Sequence, residues 1–425
     1  MADNLQKIRR FVVLMLENRS FDHLLGYLKT INPDIAGLTG SEFRNYPDPL
    51  TKQQPPVTIS PTAAPTMPFD PPHEFCDVQK QLYGPDPTGN LCSNPRVDPA
   101  LMNGFLYCGN QTAAGAGVPT QGFRVLECFA PGQVPFVAML AQEFALFNFW
   151  FSSLPGPTWP NRFFVHAATS GGLTDSPATE ATVSGYSFKN GTIYNLLTNA
   201  GKDWRIYHDG LPQTAGIDSL RMAYIDPFTK QFREYSNFAQ DVKDGALPEY
   251  TFIEPRYGGF LDTDFVQGNS MHPQDNVNAG DGLVKEIYET LRNSDLWQDT
   301  MLVITFDEHG GFFDHVPPPA AVPTGDDASY ANPAHSFGFN LYGVRVPAIV
   351  ISAYTQKGTL IGSDPNDPAT RFDHTSILAT VEKRFGLQPL TARDRVANTL
   401  EVALNLDTPR TDAPTTLQVA SNALT

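Results

Sequence analysis

Residues 307–315, DEHGGFFDH, contain five ionisable side chains: Asp307, Glu308, His309, Asp314 and His315. The segment follows the apolar run 301–306, MLVITF, which is typical of a buried strand. In open α/β sheets, ligands bind beyond the carboxyl ends of the strands. Carboxylates and imidazoles gathered at such a place suit a hard or borderline divalent cation. The pattern therefore predicts a metal site, and the alternative is a polar loop in which Gly310 and Gly311 make the turn.

A second polar segment, residues 17–23 (ENRSFDH), follows a strand predicted over residues 8–16. Its first two residues, Glu17 and Asn18, supply oxygen donors. These donors could converge with the carboxylates of the 307–315 segment, because ligand-binding groups gather at one edge of an open α/β sheet. The alternative is a helix start that is capped by Asn18 or Ser20.

Residues 156–162, GPTWPNR, lie between a strand predicted over 145–151 and a helix predicted over 160–169. Thr158 then stands at or just before the amino end of this helix, where its hydroxyl could simply be a cap. The same position is favourable for a phosphate, because free N–H groups and the helix dipole attract anions. A hydroxyl that is bound there to a metal becomes a nucleophile, and Arg162 could clamp the phosphate oxygens.

Two further histidines, His73 and His272, lie in loops that are rich in proline and polar residues. A histidine in a loop is more often a surface residue than a catalytic one. The same holds for His208, His309 and His374. Their function therefore depends on whether the fold brings them to the predicted metal site.

The elements that must position these residues alternate along the chain. Strands are predicted at 8–16, 145–151, 204–208, 250–253, 301–306 and 346–352. Helices are predicted at 21–29, 134–143, 160–169, 193–199, 281–292 and 375–385. This alternation predicts a single α/β domain over 1–425, with a doubly wound, mainly parallel sheet and helices on both faces. The Pro-rich segment 32–130 is predicted to be a loop or cap insertion.

The composition excludes several classes of function. The chain of 425 residues has a formal net charge of −16, which repels nucleic acids and strongly anionic membranes. No apolar stretch approaches the roughly 20 residues of a transmembrane helix, so at most peripheral membrane contact is expected. The apolar run 11–16 is too short for a signal peptide. A cytoplasmic protein is therefore expected, and the alternative is a secreted protein whose leader lies outside this sequence.

The insertion carries the four cysteines, Cys76, Cys92, Cys108 and Cys128. They could form two disulfides in any of three pairings, or remain thiols. Paired cysteines would indicate export, and free thiols a cytosolic protein.

Together these motifs resemble the phosphoesterase family that contains bacterial phosphatidylcholine-type phospholipases C, plant non-specific phospholipases C and a related acid phosphatase. The matching segments occur in the family's order, at 17–23, 158–162, 254–256, 272–273, 307–311, 314–316, 344–347 and 373–376. The resemblance covers most of the chain and implies an alkaline phosphatase-like fold.

The resemblance also implies a metal site and a nucleophile. Glu17, Asn18, Asp307 and Glu308 match the positions that hold one divalent metal ion, and the Thr158 hydroxyl matches a further ligand. Thr158 also matches the nucleophile, which forms a covalent phospho-enzyme. The phospholipase branch is expected to have Thr at this position and the acid phosphatase branch Ser, so Thr158 favours a phospholipase.

The resemblance places His73, His272 and His315 along the phosphate pocket, and either His272 or His315 is the expected general acid. The identity of the metal stays open. Mixed carboxylate, amide and hydroxyl ligands favour Ca²⁺, Mg²⁺ or Mn²⁺, whereas the superfamily resemblance favours Zn²⁺.

The expected reaction is cleavage of a phospholipid to diacylglycerol and a phosphorylated head group. The first alternative is an acid phosphatase or phosphodiesterase that acts on small soluble phosphoesters with the same residues. The second is a non-catalytic protein that binds phosphate or metal. A lipid substrate requires an apolar rim, for which Phe312, Phe313 and residues 316–322 are candidates. The oligomeric state is left open.

Overall fold

The computed structural model describes residues 4–40, 43–44, 57–86, 89–177, 185–226, 228–258, 267–326 and 328–419. Its strands are β1 (Arg10–Leu16), β2 (Phe43–Arg44), β3 (Val57–Thr58), β4 (Ala145–Phe147), β5 (Trp204–His208), β6 (Phe232–Glu234), β7 (Tyr250–Glu254), β8 (Thr300–Phe306), β9 (Ala348–Ser352) and β10 (Leu360–Ile361). Its α-helices are α1 (Phe21–Leu25), α2 (Phe75–Tyr83), α3 (Asn90–Ser93), α4 (Phe105–Gly115), α5 (Pro135–Glu143), α6 (Thr158–Ala167), α7 (Ile193–Asn199), α8 (Asp218–Ile225), α9 (Phe238–Lys243), α10 (Val277–Arg292), α11 (Thr375–Phe385) and α12 (Ala392–Val396). Short 3₁₀ helices lie at Asn4–Lys7, Gly26–Thr30, Gly122–Leu126, Gln213–Gly216, Tyr235–Asn237, Trp297–Asp299, Pro368–Thr370 and Leu400–Ala403.

Within these described ranges, eight strands form one sheet in the order β10-β4-β9-β8-β1-β7-β5-β6. The central strand β1 pairs in parallel with β7 and β8, and the pairs β5–β7, β5–β6 and β4–β10 are also parallel. Strand β9 runs antiparallel to β4 and β8. All seven residues of β8 are buried, as expected for a sheet that is covered on both faces. The predicted doubly wound, mainly parallel α/β fold is confirmed.

Most of the predicted elements have the predicted bounds to within a few residues. Strand β5 and helix α11 coincide with them, and α11 ends at Gly386, which has the left-handed conformation with φ +67°. The strand predicted over 145–151 is shorter, because β4 ends at Phe147. The next side chain, Asn148, is buried and donates to the Gly362 carbonyl at 2.8 Å.

The segment 32–130 contains α2, α3 and α4, which its weak periodicity did not predict. Residues of α2 and α4 form a second hydrophobic cluster, which also includes Phe312 and Phe313. Both phenylalanines are fully buried, so the prediction that they form an exposed apolar rim is wrong. The single domain over 1–425 and the insertion bounds stay predictions.

The four cysteines do not form two disulfides. Cys76 and Cys92 form one, between α2 and α3, whereas Cys108 and Cys128 are buried thiols. Among the described helices, none combines the length and the apolar character that a membrane span requires.

Candidate active site

A cavity of about 290 Å³ contains the predicted nucleophile and three of the other predicted site residues. It is lined by Glu17, Asp70, Pro71, Pro72, His73, Glu74, Asp77, Thr158, Trp159, Ser176, Gln213 and His272. Glu17 directly follows β1, and Thr158 begins α6. The cavity therefore lies at the carboxyl end of the central strand, where the strand-end argument places a ligand site.

Thr158 is the first residue of α6, and Pro157 precedes it in an extended conformation. The Thr158 hydroxyl donates to Oδ1 of Asn18 at 3.2 Å. The backbone N–H of Asn18 in turn donates to Oδ1 of Asp307 at 3.0 Å. The predicted nucleophile therefore lies against two of the predicted metal ligands, with the amino end of a helix behind it.

Two glycines allow the segments of the site to meet. Gly310 has φ +63°, and a Cβ at this position would lie 2.2 Å from the carbonyl oxygen of Asn18. Gly311 has φ +73°, and its Cβ would lie 2.6 Å from the carbonyl oxygen of Pro72. A side chain at either position would prevent this close approach. The 307–311 loop can therefore pack against the backbone of Asn18 and Pro72 only because both positions are glycine.

Glu17 and Glu308 are buried, and each presents one carboxylate oxygen that has no hydrogen-bond partner. Oε1 of Glu17 accepts from Nε2 of Gln213 at 3.2 Å, whereas its Oε2 accepts no hydrogen bond. Oε2 of Glu308 accepts from the Gly310 N–H at 2.8 Å, whereas its Oε1 accepts none. Buried polar atoms without a partner are rare, and two such carboxylate oxygens at one site fit the predicted metal ligands.

Burial is the main cause that keeps these two carboxyl groups protonated, and the nearby Asp307 charge adds to its effect. Burial raises the pKa of Glu17 to about 8. The Arg162 guanidinium lowers this pKa, and the Asp307 charge raises it. Burial also raises the pKa of Glu308 to about 8. The His73 charge lowers this pKa, and the Asp307 charge raises it. A divalent cation beside these groups would favour their charged forms and so lower both pKa values.

The remaining donors fit a cation as well. Asp307 accepts from the N–H groups of Asn18 and Glu308 and from Nε of Arg162. A carboxylate has about four lone-pair positions, so one remains for a metal. The complete set of three carboxylates, an amide oxygen and the hydroxyl of Thr158 consists of oxygen atoms, which suit Ca²⁺, Mg²⁺ or Mn²⁺ better than Zn²⁺.

A second cluster of possible metal ligands consists of Asp22, Asp314 and His315, whose ligand atoms lie within 4.8 Å of one another. Arg345 already supplies the positive charge of this cluster. Its Nε lies 2.9 Å from Asp314 Oδ1, and its Nη2 lies 3.1 Å from Asp22 Oδ1. We therefore interpret the cluster as a buried ion network that ties the 307–315 segment to α1.

His315 belongs to this network. Its Nδ1 lies 2.6 Å from Oδ2 of Asp22, and it is not among the residues that line the cavity. The structure therefore gives no support to His315 as the general acid.

Arg162 has a different environment from the predicted one. Its Nε donates to Asp307 at 3.0 Å, its Nη1 to the Tyr257 hydroxyl at 2.8 Å, and its Nη2 to the carbonyls of Met15 and Leu16. The side chain is buried and is not among the residues that line the cavity. The predicted bidentate clamp on phosphate is therefore replaced by a role in holding Asp307 at the end of β8.

His272 lines the cavity, with its Nε2 3.6 Å from Oδ1 of Asp70. Burial, and then the positive charges of His73 and Arg19, lower the pKa of His272 well below its usual range. Its imidazole is therefore neutral at neutral pH, and an anion in the cavity would raise this pKa.

His73 connects the cavity wall to the predicted metal ligands. Its Nδ1 lies 2.7 Å from the Pro71 carbonyl, and its Nε2 lies 3.2 Å from Nδ2 of Asn18 and 4.0 Å from Oε1 of Glu308. Burial lowers the pKa of His73, but the negative charges of Glu308 and Asp70 have a larger combined effect and raise it to about 10. A cation at Glu308 would remove much of this effect, and a neutral Nε2 could then accept from Asn18.

Two other histidines support the carboxylates from outside the cavity. Nδ1 of His309 lies 3.2 Å from Oε2 of Glu308, and its Nε2 lies 2.8 Å from the Gln81 side chain. Burial, and then the His73 charge, lower the pKa of His309 to about 3. Nε2 of His374 lies 2.6 Å from the carbonyl oxygen of Asp307.

Several cavity residues were not predicted from the sequence: Asp70, Glu74, Trp159, Ser176 and Gln213. Asp70 and Glu74 flank the predicted histidine within four residues, and Trp159 follows the predicted nucleophile. Their positions in the sequence could therefore have indicated them. Ser176 and Gln213 are single polar residues in loops, and no local pattern distinguishes them.

Comparison of the sequence with known protein families and curated proteins gives matches over nearly the whole chain. A model of the Phosphoesterase family matches residues 8–388. Non-specific phospholipase C6 of Arabidopsis thaliana is 41% identical over 420 residues, which cover 96% of this chain and 75% of the relative. Non-specific phospholipase C1 of the same plant is 40% identical over 416 residues, which cover 96% and 73%. Among solved structures, a protein in the alkaline phosphatase superfamily from Vibrio parahaemolyticus matches 64% of this chain and 68% of its own, with 16% identity and a TM-score of 0.34.

Proposed function

The chain belongs to the Phosphoesterase family, and from this premise we propose that it is a metal-dependent phospholipase C that acts through a phospho-Thr158 intermediate. The relatives at 40–41% identity carry the name non-specific phospholipase C, which supports this substrate class. The observation that carries the proposal is the 3.2 Å contact between the Thr158 hydroxyl and Asn18, beside the carboxylates of Glu17 and Glu308.

The reaction proceeds in two in-line steps. The Thr158 hydroxyl gives its proton to a water molecule, and Oγ1 forms a bond to phosphorus while the bond from phosphorus to the glycerol oxygen breaks. His272, in its protonated form, donates a proton to that oxygen, and diacylglycerol leaves. Water then attacks the phosphothreonine and gives a proton to His272, which returns to its protonated form. The bond from phosphorus to Oγ1 breaks, the phosphorylated head group is released, and Oγ1 takes a proton from water to restore the Thr158 hydroxyl.

A divalent cation held by Glu17, Asn18, Asp307 and Glu308 would lower the pKa of the Thr158 hydroxyl and offset the charge on the phosphate. The free N–H groups at the start of α6 stabilise the same oxygens, because they point along the helix dipole toward the cavity.

The charge of the cavity favours a phosphodiester over a phosphomonoester. Asp70, Glu74 and Asp77 form one wall, and neither lysine nor arginine occurs among the residues that line the cavity in the described part of the chain. A monoester dianion is repelled by this wall more strongly than a diester monoanion. A cationic head group such as choline or ethanolamine would be attracted to it and could stack on Trp159.

The decisive experiment compares p-nitrophenyl phosphorylcholine with p-nitrophenyl phosphate, before and after chelation of metal from the purified protein. We expect a higher kcat/KM for the diester, loss of activity after chelation, and recovery when Ca²⁺, Mg²⁺, Mn²⁺ or Zn²⁺ is added singly. Elemental analysis of the protein as purified identifies the ion. A preference for the monoester would indicate an acid phosphatase. Full activity after exhaustive chelation would show that the reaction does not depend on a metal ion.

A further inference from the structure

Three large apolar side chains within seven residues are mostly exposed to solvent. The exposed fraction is 66% for Met222, 60% for Ile225 and 89% for Phe228. Met222 and Ile225 are three residues apart on α8 and so share one helix face, and Phe228 follows shortly after the helix ends. Single exposed apolar residues are common, whereas three such residues close together in the sequence are a candidate interaction surface. We call Met222, Ile225 and Phe228 the apolar patch.

The opposite face of α8 is already packed, so the apolar patch is not a displaced part of the core. Leu220 is buried in the main core, and the Tyr224 ring packs against Phe232 with centroids 5.3 Å apart. The helix is therefore apolar on two faces, and one of these lacks a partner in the described part of the chain. This distribution is that of an amphipathic surface helix with an additional contact face.

The apolar patch lies in the connection between β5 and β6, and this connection also forms part of the cavity wall. Gln213 lines the cavity and donates to Glu17 at 3.2 Å. A Cβ on Gly216 would lie 2.7 Å from the Trp159 ring, so the two packed segments touch. The Tyr224 ring lies 5.5 Å from that of His208, the last residue of β5. Helix α8 is therefore held beside the edge of the sheet at which the cavity lies.

We propose that the apolar patch docks the protein on the surface of a zwitterionic phospholipid bilayer and so brings the cavity to its substrate. This inference rests on the proposed phospholipase C function. The acyl chains of the substrate remain in the bilayer while its head group enters the cavity, so an apolar contact beside the cavity is the feature that such an enzyme requires. The predicted rim at Phe312 and Phe313 is buried and cannot serve this purpose.

The charges around the apolar patch identify the kind of bilayer. Asp218, Arg221, Asp226 and Lys230 surround it in the sequence, two acids and two bases. The formal net charge of the chain is −16, so an anionic bilayer would repel the protein as a whole. Binding must then come from apolar side chains that enter the interface, as in other interfacial amphipathic helices. A phosphatidylcholine surface fits this balance.

The test uses the variant Met222→Ser/Ile225→Ser/Phe228→Ser, the single variant Phe228→Ser and a matched control, Val396→Ser/Val402→Ser. The control removes two other exposed apolar side chains, with exposed fractions of 59% and 46%. Each protein is measured for co-sedimentation with phosphatidylcholine vesicles and for hydrolysis of these vesicles and of dissolved p-nitrophenyl phosphorylcholine. We expect the triple variant to lose about 10-fold or more in vesicle binding and vesicle hydrolysis, with unchanged hydrolysis of the dissolved substrate. The single variant should lose less, and the control nothing.

Several results would overturn the inference. Vesicle binding of the triple variant at the wild-type level would do so, and so would an equal loss on both substrates, which would indicate a structural defect. A wild-type dimer that the triple variant dissociates in analytical ultracentrifugation would show that the apolar patch binds a second copy of the chain instead. If the wild type hydrolyses neither substrate, the proposed function fails, and vesicle binding still decides on the docking surface.

Discussion

The hydroxyl of Thr158 donates a hydrogen bond of 3.2 Å to Oδ1 of Asn18, a residue whose backbone has φ +59°. Asparagine is one of the few residues with a side chain that adopt this left-handed conformation readily. The conformation turns the chain directly after β1, and the amide then reaches the start of α6. One residue type therefore meets both the backbone requirement of this turn and the requirement of the proposed metal site for an oxygen ligand.

The first prediction concerns the nucleophile. Thr158→Val keeps the shape of the side chain but removes the hydroxyl, so we expect kcat to fall by about 10³-fold or more. Thr158→Ser keeps the hydroxyl and should retain measurable turnover, and rapid acid quenching should trap a phosphorylated residue 158 in it and in the wild type. Melting temperatures serve as the control for folding. A Thr158→Val protein with near-normal turnover would exclude the covalent mechanism.

The second prediction concerns Arg162, which is paired with Asp307 at 3.0 Å in the interior. Arg162→Met leaves a buried carboxylate without its partner, so the free energy of unfolding should fall by about 3–5 kcal/mol in chelator. Urea denaturation measures this change. The double variant Arg162→Met/Asp307→Asn should regain stability without regaining activity. A stable Arg162→Met protein with an increased KM alone would instead support the phosphate clamp.

The third prediction compares two histidines. His272→Gln should lower kcat by about 10²–10⁴-fold, because it removes the proposed proton donor from the cavity. His315→Gln should leave kcat within a factor of about three and lower the free energy of unfolding by about 1.5–3 kcal/mol, because Asp22 loses a charge-assisted hydrogen bond. Steady-state kinetics and urea denaturation of both variants decide the question. A large kcat loss in His315→Gln alone would reverse the assignment.

The sequence predicted the elements whose patterns are local. The apolar runs of β1 and β8 are each followed directly by polar residues. These strand ends predicted that Glu17, Asn18 and Asp307 lie at one edge of the sheet. The family resemblance drawn from the motifs is confirmed by the family match over residues 8–388. Thr158 was expected at the start of a helix because Pro160 suits the first turn, and it is the first residue of α6.

The rest depended on tertiary contacts that no local pattern encodes. The direction of the Arg162 side chain is set by Tyr257 and by two carbonyls of β1, which lie far away in the sequence. Phe312 and Phe313 lie in a polar loop, but helices in the weakly periodic segment 32–130 bury them. The exposure of the apolar patch could not be predicted either, because the sequence does not show which face of α8 packs against the core.

The last prediction concerns Glu382, a buried residue of α11 whose Oε1 has no hydrogen-bond partner. Burial, and then the neighbouring Asp394, raise the pKa of Glu382 from 4.5 to about 9. Between these two values the folded protein holds a proton that the unfolded chain releases. Stability from this group is therefore complete below pH 4.5 and is lost as the pH rises toward 9, by up to about 1.4 kcal/mol per pH unit.

Glu382→Gln should remove this loss, because glutamine keeps the shape and the donor of the protonated acid and does not ionise. We expect the variant to gain stability over the wild type as the pH rises from 5 to 9, measured by urea denaturation at each pH. Glu401→Gln, at an exposed ion pair with Lys383, is the matched control and should follow the wild type. If the free energy of unfolding depends on pH in the same way in Glu382→Gln and the wild type, Glu382 is ionised in the folded protein. Its Oε1 would then need a hydrogen-bond partner.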